Sequence, residues 1–174
     1  MSEEDRLKAR QYHLDGDTAQ AIALLTSSIK KDPSNVAVAM DMVQIFIDLS
    51  EIEQAKNLFN RLPSEIQTSD TGVSLSGQIW ITEQANKTLG LANLKARLLT
   101  HPDDSNARFD CAICELAQHA PENALDHLFY IQQYDSEFKD GAAKELIISI
   151  INTIKENNPE TAQKFRTKLS LMLS

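Results

Sequence analysis

Glycine and proline are scarce in this sequence, with five of each among 174 residues. An all-β sandwich or barrel needs a turn roughly every ten residues, and glycine and proline supply many of those turns. Their scarcity therefore argues against an all-β fold and favours long helices. Apolar residues form 42% of the chain, which is enough to build a core and disfavours wholesale disorder.

Positive charge is scarce as well, because 17 lysines and arginines stand against 25 aspartates and glutamates, giving a net charge of −8. Such an excess of negative charge disfavours nucleic acid and anionic membranes as partners. No apolar run reaches the length of about 18 residues that a membrane-spanning helix needs. The N-terminal segment MSEEDRLKAR lacks the apolar stretch of a secretory signal peptide. The sequence therefore predicts a cytoplasmic protein.

An internal repeat with a period of 34 residues runs through the chain. Ala21 and Leu25 are followed at that distance by Ala55 and Phe59. Ala124 lies 69 residues after Ala55, which is two periods plus one residue. A period of this length is typical of repeats in which each unit is a pair of helices.

The gap between the second and the last copy holds a degenerate repeat, marked by Gly77, Trp80 and Ala96. The four repeats cover about residues 1–34, 35–68, 69–103 and 104–137. Segment 64–72, SEIQTSDTG, is predicted to be a lengthened turn and the least ordered part of the chain. Two further helices over about residues 140–174 are predicted to cap the array, since an open solenoid end would expose core.

The predicted fold is all-α: a solenoid of antiparallel helix pairs with two C-terminal capping helices, in one domain over residues 1–174. Ile22, Leu25 and Ile29 show the three- and four-residue spacing of one helix face. Pro33 ends the helix that carries them, because proline cannot continue the hydrogen-bond ladder.

The repeat resembles the tetratricopeptide repeat (TPR), since Tyr12, Ala21 and Pro33 keep the pattern of that family. The C-terminal part is also similar to the YbbN-like co-chaperones, or chaperedoxins, which join a thioredoxin domain to a TPR array. The motifs that carry this resemblance are RFD at 108–110, DGAAK at 140–144 and a closing helix that is basic and then apolar. The resemblance implies a protein-interaction module that binds non-native clients or a chaperonin. The thioredoxin domain of that family is absent from these residues.

The only two cysteines, Cys111 and Cys114, form a C-x-x-C motif, a spacing found in dithiol redox enzymes and in zinc sites. Redox motifs of this kind open a helix, whose N-terminal dipole lowers the thiol pKa. Both cysteines here fall inside the predicted first helix of the fourth repeat, without further ligands at a usual zinc spacing. The sequence therefore favours packing of both side chains in the core. A stand-alone redox protein that uses this pair is the alternative.

Motifs of catalysis are missing from the sequence, which has no glycine-rich phosphate loop, no G-x-S-x-G and no H-E-x-x-H. The four histidines, His13, His101, His119 and His127, are predicted to lie at turns or on helix surfaces. We therefore predict that the chain is not an enzyme and has neither a cofactor nor a metal site.

The first helices of TPR arrays line a protein-binding groove, and the resemblance assigns groove positions in this chain. The ten candidate residues are Arg6, Arg10, Met40, Gln44, Ile47, Gln78, Ile81, Phe109, Ile113 and Leu116. The predicted groove is basic at one end and apolar toward the other, which suits an extended or helical peptide with an acidic end. Two alternatives stay open: several apolar members pack beneath the capping helices, or the array is a self-associating scaffold.

Overall fold

The computed structural model describes residues 3–174. Every regular element in this range is a helix and none is a β-strand, so the predicted all-α fold is confirmed. None of these helices has the length and hydrophobicity required to cross a membrane. Two compact units make up the chain, Met1–Glu83 (unit 1) and Gln84–Ser174 (unit 2). The single domain over the whole chain remains a prediction.

Unit 1 follows the helix-pair order that the repeat predicts. Its helices in chain order are α1 (Glu3–Leu14), α2 (Thr18–Lys31), α3 (Val36–Asp48), α4 (Ile52–Phe59), α5 (Ser64–Gln67) and α6 (Asp70–Asn86), the last of which ends in unit 2. Helices α3 and α6 therefore begin within one residue of the predicted repeat starts. Asp17 and Asn35 cap α2 and α3, because each side chain accepts a hydrogen bond from a backbone N–H of the first turn.

Two apolar clusters hold unit 1 together. The first joins α1, α2 and α3 through the buried residues Ala9, Ala21, Leu25, Val38, Met42 and Ile45. The second joins α3, α4 and α6 through Val43, Ile47, Ile52, Ala55, Phe59, Leu62, Leu75 and Ile79. The repeat-defining alanines Ala21 and Ala55 are both fully buried. Their small side chains let neighbouring helices approach closely, which explains their recurrence with the period of the repeat.

Segment 64–72 is helical rather than a loose turn, and this differs from the prediction. It forms α5 and the start of α6. Gly72 is buried where these two helices meet, and a Cβ atom at this position would lie 2.1 Å from the carbonyl oxygen of Ile66. Only glycine permits such a close backbone approach.

Unit 2 consists of a single helix followed by two antiparallel pairs. Its elements are α7 (Leu91–Thr100), α8 (Ser105–Ala117), α9 (Pro121–Tyr134), a 3-10 turn (Phe138–Gly141), α10 (Ala142–Asn157) and α11 (Pro159–Leu173). A cluster of twelve buried residues, centred on Leu128, Phe129 and Ile147, joins α8, α9, α10 and α11. The two predicted C-terminal helices therefore complete the core of unit 2.

The turn before α10 is strained. Lys139 and Asp140 have φ angles of 46° and 57°, and Gly141 follows with a φ of 83°. A left-handed backbone conformation costs roughly 1–2 kcal/mol for a residue with a Cβ atom. Asp140 and Gly141 begin the DGAAK motif, so the first half of that motif is a turn and the second half opens α10.

Candidate protein-binding surface

Both arginines of the predicted basic end of the groove contact the carboxylate of Asp41. Arg6 donates hydrogen bonds from Nε and Nη2 to the two oxygens of Asp41, at 2.7 and 3.1 Å, and from Nη1 to Glu3 at 2.9 Å. Arg10 Nη2 lies 3.4 Å from the same Asp41 carboxylate. The hydrogen bond to Asp41 raises the pKa of the Arg6 guanidinium. Asp41 and Glu3 thus compensate most of the positive charge that the sequence assigns to this end.

A continuous series of hydrogen bonds links the first helices α1, α3 and α6 of unit 1. His13 Nε2 lies 2.9 Å from Asp48, and Gln44 Nε2 donates to Asp48 at 2.9 Å and to Gln78 at 2.8 Å. Gln78 Nε2 donates back to Gln44 Oε1 at 3.1 Å. The two members of the Gln44–Gln78 pair are 34 residues apart, one period of the repeat. We call these four residues the polar ladder, and two of them, Gln44 and Gln78, are predicted groove residues.

The three apolar groove candidates of unit 1 differ in exposure. Met40 and Ile81 are half-buried and keep some surface. Ile47 is only 6% exposed and packs in the second core cluster of this unit. Ile47 therefore offers no surface to a partner in this structure, because α3 turns it toward α4 and α6.

The groove candidates of unit 2 lie partly beneath neighbouring helices. Ile113 is 2% exposed and is therefore buried in the folded chain. Phe109 and Leu116 are half-buried and pack against the main core cluster. The ring of Phe109 lies 5.8 Å from that of Phe138 in the turn before α10. Packing under the C-terminal helices, which the sequence left open as an alternative, thus applies in part to Phe109 and Leu116.

Lys139 lies on the two rings that border this part of the surface. Its Nζ atom is 4.8 Å from the ring centre of Phe109 and 5.3 Å from that of Phe138. A cation above an aromatic face is attracted by the ring quadrupole. The strained backbone at Lys139 therefore carries a side chain that adds positive charge beside Phe109. Burial of the Asp110 side chain raises the pKa of its carboxyl group, and the positive charge of Lys139 opposes that rise.

Both cysteines lie in the interior of α8, as predicted. Cys111 is fully buried and Cys114 is 6% exposed, and both are free thiols. Burial raises the pKa of the Cys111 thiol to about 11, the opposite of the change that redox catalysis requires. The hydroxyl oxygen of Thr88 lies 3.2 Å from the sulfur of Cys114. Within residues 3–174 no cluster of three or more His, Cys, Asp or Glu side chains is placed to bind a metal ion.

A buried carboxylate, which the sequence analysis did not predict, joins three helices of unit 2. Glu115 of α8 is 3% exposed, pairs with Lys95 of α7 at 2.9 Å and accepts a hydrogen bond from Asn123 of α9 at 3.4 Å. Although burial alone acts to raise it, the pKa of Glu115 is lowered, because the hydrogen bonds from Lys95 and Asn123 outweigh burial. A glutamate in the middle of a helix is usually predicted to be exposed to solvent. The burial of Glu115 therefore becomes evident only from its partners in the folded chain.

His127 also differs from its predicted place on a helix surface. It is half-buried in α9, and its Nδ1 atom is shielded from solvent without a hydrogen-bond partner among the described residues. Burial, assisted by the charge of Arg108, lowers the pKa of His127. The neutral ring is therefore the form that this site favours.

Antiparallel helix pairs in a repeating register, with apolar and polar side chains along their first helices, define the chain as a helix-pair repeat protein of the α-solenoid class. The chain belongs to the tetratricopeptide repeat family, which it matches over residues 12–79 and again over residues 84–173. These two stretches fall in unit 1 and unit 2 respectively.

One solved structure similar to this chain is the crystal structure of a domain, of unknown function, from Vibrio parahaemolyticus RIMD 2210633. The two chains are 22% identical, with a TM-score of 0.44, and the match covers 99% of this chain and 100% of that domain. No curated protein matches the sequence.

Proposed function

We propose that this chain binds non-native polypeptide, or a chaperone subunit, along its first helices, as the TPR part of a thioredoxin-like co-chaperone. TPR repeats indicate a protein-interaction module. The observation that best supports the finer proposal is the set of half-buried apolar side chains on first helices: Met40, Ile81, Phe109 and Leu116. The RFD and DGAAK motifs support the co-chaperone assignment, through the resemblance described above.

The chemistry of this surface suits polypeptide without a fixed sequence. Non-native segments expose apolar side chains and unpaired backbone groups, and half-buried apolar residues can accept many different side chains. Both amide N–H groups of Gln44 are already engaged, with Asp48 and Gln78. Each amide oxygen of the Gln44–Gln78 pair has a second lone pair, which can accept a backbone N–H. The polar ladder is thus suited to hold extended backbone beside Met40 and Ile81, which lie one helical turn from Gln44 and Gln78 in unit 1.

Electrostatic steering has a smaller role in this proposal than the sequence alone predicts. Asp41 lies against both Arg6 and Arg10, so an approaching acidic partner meets little free positive charge there. Apolar contact should therefore provide most of the affinity, and salt should change the association rate only weakly.

The rival proposal of a stand-alone redox protein finds little support. Cys111 and Cys114 are buried, and the pKa of Cys111 is raised to about 11, so little nucleophilic thiolate is present. An insulin-reduction assay discriminates between the two proposals. Turnover by this chain that disappears in Cys114→Ser would favour the redox protein.

The proposal is tested by surface plasmon resonance. The immobilised protein is kept unfolded by reduction and carboxymethylation of its cysteines. The native form of the same protein serves as reference. Met40→Asp and Phe109→Asp place a charge on the first helices, and we expect each to accelerate dissociation. Leu99→Asp is the matched control, because Leu99 is apolar and 86% exposed but lies on the second helix α7.

Equal binding to the unfolded and the native surface would show that the chain does not recognise non-native polypeptide. Equal dissociation rates for wild type, Met40→Asp and Phe109→Asp would place the contact elsewhere, provided that each variant keeps its circular dichroism spectrum. Capture of a chaperone subunit from lysate, competed by the unfolded protein, would indicate that both use the same residues.

A further inference from the structure

A second surface, separate from the ten groove candidates, runs along α9. Asn123, His127, Tyr130 and Tyr134 are spaced by four, three and four residues, which places them on one face of the helix. The rings of Tyr130 and Tyr134 lie 4.6 Å apart, centre to centre. The guanidinium carbon of Arg108, from α8, lies 3.5 Å from the ring centre of Tyr130. Tyr130 thus lies against both Arg108 and the ring of Tyr134, which is tilted by 48°, and we call these three residues the arginine–tyrosine stack.

Arg108 is fixed in position but leaves most of its donors free. Its Nε–H donates to the carbonyl oxygen of Pro102 at 2.6 Å, and its plane lies against Tyr130. Among residues 3–174, no hydrogen bond engages its two terminal amino groups and no carboxylate pairs with it. Arg6 and Arg97, by contrast, are each paired with an aspartate. The free side of the Arg108 guanidinium is a planar pair of donors, the geometry that binds a carboxylate through two hydrogen bonds.

Tyr134 provides an exposed apolar surface next to this fork. Its side chain is 67% exposed, although its ring is held against Tyr130. Aromatic rings and arginines that are already ordered lose little conformational entropy on binding, and both are enriched among the residues that dominate protein interfaces. An exposed ring in such a stack therefore has the properties of a binding anchor.

We propose that the arginine–tyrosine stack binds an acidic segment of a partner protein. A carboxylate of the partner receives two hydrogen bonds from the terminal amino groups of Arg108, and a neighbouring apolar side chain rests on the ring of Tyr134. Nucleic acid does not fit this surface, because the stack contains a single cation and a phosphate backbone requires several cations to neutralise it. The inference does not depend on the proposed function, since none of the groove candidates takes part.

Nuclear magnetic resonance of the isotope-labelled full chain tests this surface directly, because the Arg108 Nε–H gives its own signal. The first probe is a synthetic peptide of alternating leucine and glutamate, and the second has glutamine in place of every glutamate. Arg108→Lys keeps the charge but removes the fork. Tyr134→Ala removes the exposed ring without touching the core. Arg166→Lys is the matched control, because Arg166 is an exposed arginine on α11 and is not part of the stack.

The glutamate peptide is expected to shift the Arg108 Nε–H signal and the amide signals around Tyr130 and Tyr134. Loss of the bidentate, charge-assisted contact in Arg108→Lys should weaken binding about 5- to 20-fold. Tyr134→Ala should also weaken it, whereas Arg166→Lys should bind like the wild type and the glutamine peptide should bind more weakly.

Three results would overturn the inference: no shift with the glutamate peptide, equal affinity for the two peptides, or equal affinity of Arg108→Lys and wild type. Shifts confined to the polar ladder would instead place acidic segments on α1, α3 and α6 of unit 1. The unfolded-protein assay described above is a separate measurement, so either proposal can fail while the other stands. Unchanged amide spectra of the free variants confirm that each remains folded.

Discussion

Replacing each cysteine by serine in turn tests the packing of α8 through the difference between two nearly identical changes. Cys111 is fully buried between apolar neighbours that include Leu94 and Ala107, whereas Cys114 lies 3.2 Å from the hydroxyl oxygen of Thr88. Serine at position 111 brings a hydroxyl into an apolar site. Serine at position 114 brings the same group beside an existing hydrogen-bond partner.

The expected costs follow from that geometry. An unpaired buried hydroxyl costs about 1–3 kcal/mol, and a hydroxyl inside a helix recovers part of this by bonding the carbonyl four residues earlier. We therefore expect Cys111→Ser to lower the free energy of unfolding by about 2 kcal/mol. The bond to Thr88 is worth about 1 kcal/mol net, so Cys114→Ser should cost about 1 kcal/mol or less.

Urea unfolding followed by far-UV circular dichroism, under reducing conditions, measures both costs. Hydrogen exchange of the α7, α8 and α9 amides tests the same difference locally, which is useful because a chain of two units need not unfold in one step. Equal costs, or a larger cost for Cys114→Ser, would contradict this account of the packing. Measured relative to Thr88→Ala alone, which also loses the bonds of this hydroxyl to Ala85 and Gly90, Cys114→Ser should cost as much as Cys111→Ser does in the wild type.

Three further predictions follow from single positions. Because its pKa is about 11 rather than the ordinary 9.0, Cys111 should hold about a hundredfold less thiolate at neutral pH than an ordinary cysteine. Mass spectrometry should therefore show that the Cys111 thiol is alkylated slowly in the native chain and rapidly in urea. Gly72→Ala should lower the free energy of unfolding by about 2 kcal/mol, since the new Cβ would lie 2.1 Å from the carbonyl oxygen of Ile66. Gly77→Ala should raise it by roughly 0.5–1 kcal/mol, because the space around Gly77 is open and alanine favours the helix. Urea unfolding that reverses this order would contradict the prediction. Burial lowers the pKa of His127 below 6.5, so the stability that the neutral ring contributes should be complete above pH 6.5 and should decline as pH falls through the folded-state pKa. If the slope of unfolding free energy against pH is the same in His127→Gln as in the wild type, this prediction is wrong.

The repeat and most of the fold could be predicted because they depend on local patterns. Ala21 and Ala55 recur with the period because helices must approach closely at these points, and both are buried. Helix starts followed from the caps, such as Asp104, which accepts a hydrogen bond from the Ala107 N–H at 3.0 Å. Burial of the cysteines followed from their place inside a helix rather than at its beginning.

The charge of the candidate site could not be predicted from the same patterns. Asp41 lies 35 residues after Arg6 in the sequence, but the two side chains form an ion pair in the folded chain. The positive charge that the sequence predicts at this end is therefore largely neutralised. The sequence pattern also could not distinguish exposed from buried apolar candidates. Ile47 packs in the core, whereas Met40, seven residues earlier on the same helix, remains partly exposed to solvent. Arg108 was recognised only as part of a motif, because its stack on Tyr130 depends on how α8 packs against α9.

Hydrogen exchange of the wild-type chain, with and without a permanently unfolded protein, tests the central claim most directly. The claim is that the first helices bind non-native polypeptide. We expect slower exchange on binding in α3, α6 and α8, which carry Met40, Ile81 and Phe109, and little change in the second helices α2 and α4. Protection confined to the second helices, or no protection at a concentration where binding is saturated, would contradict the claim.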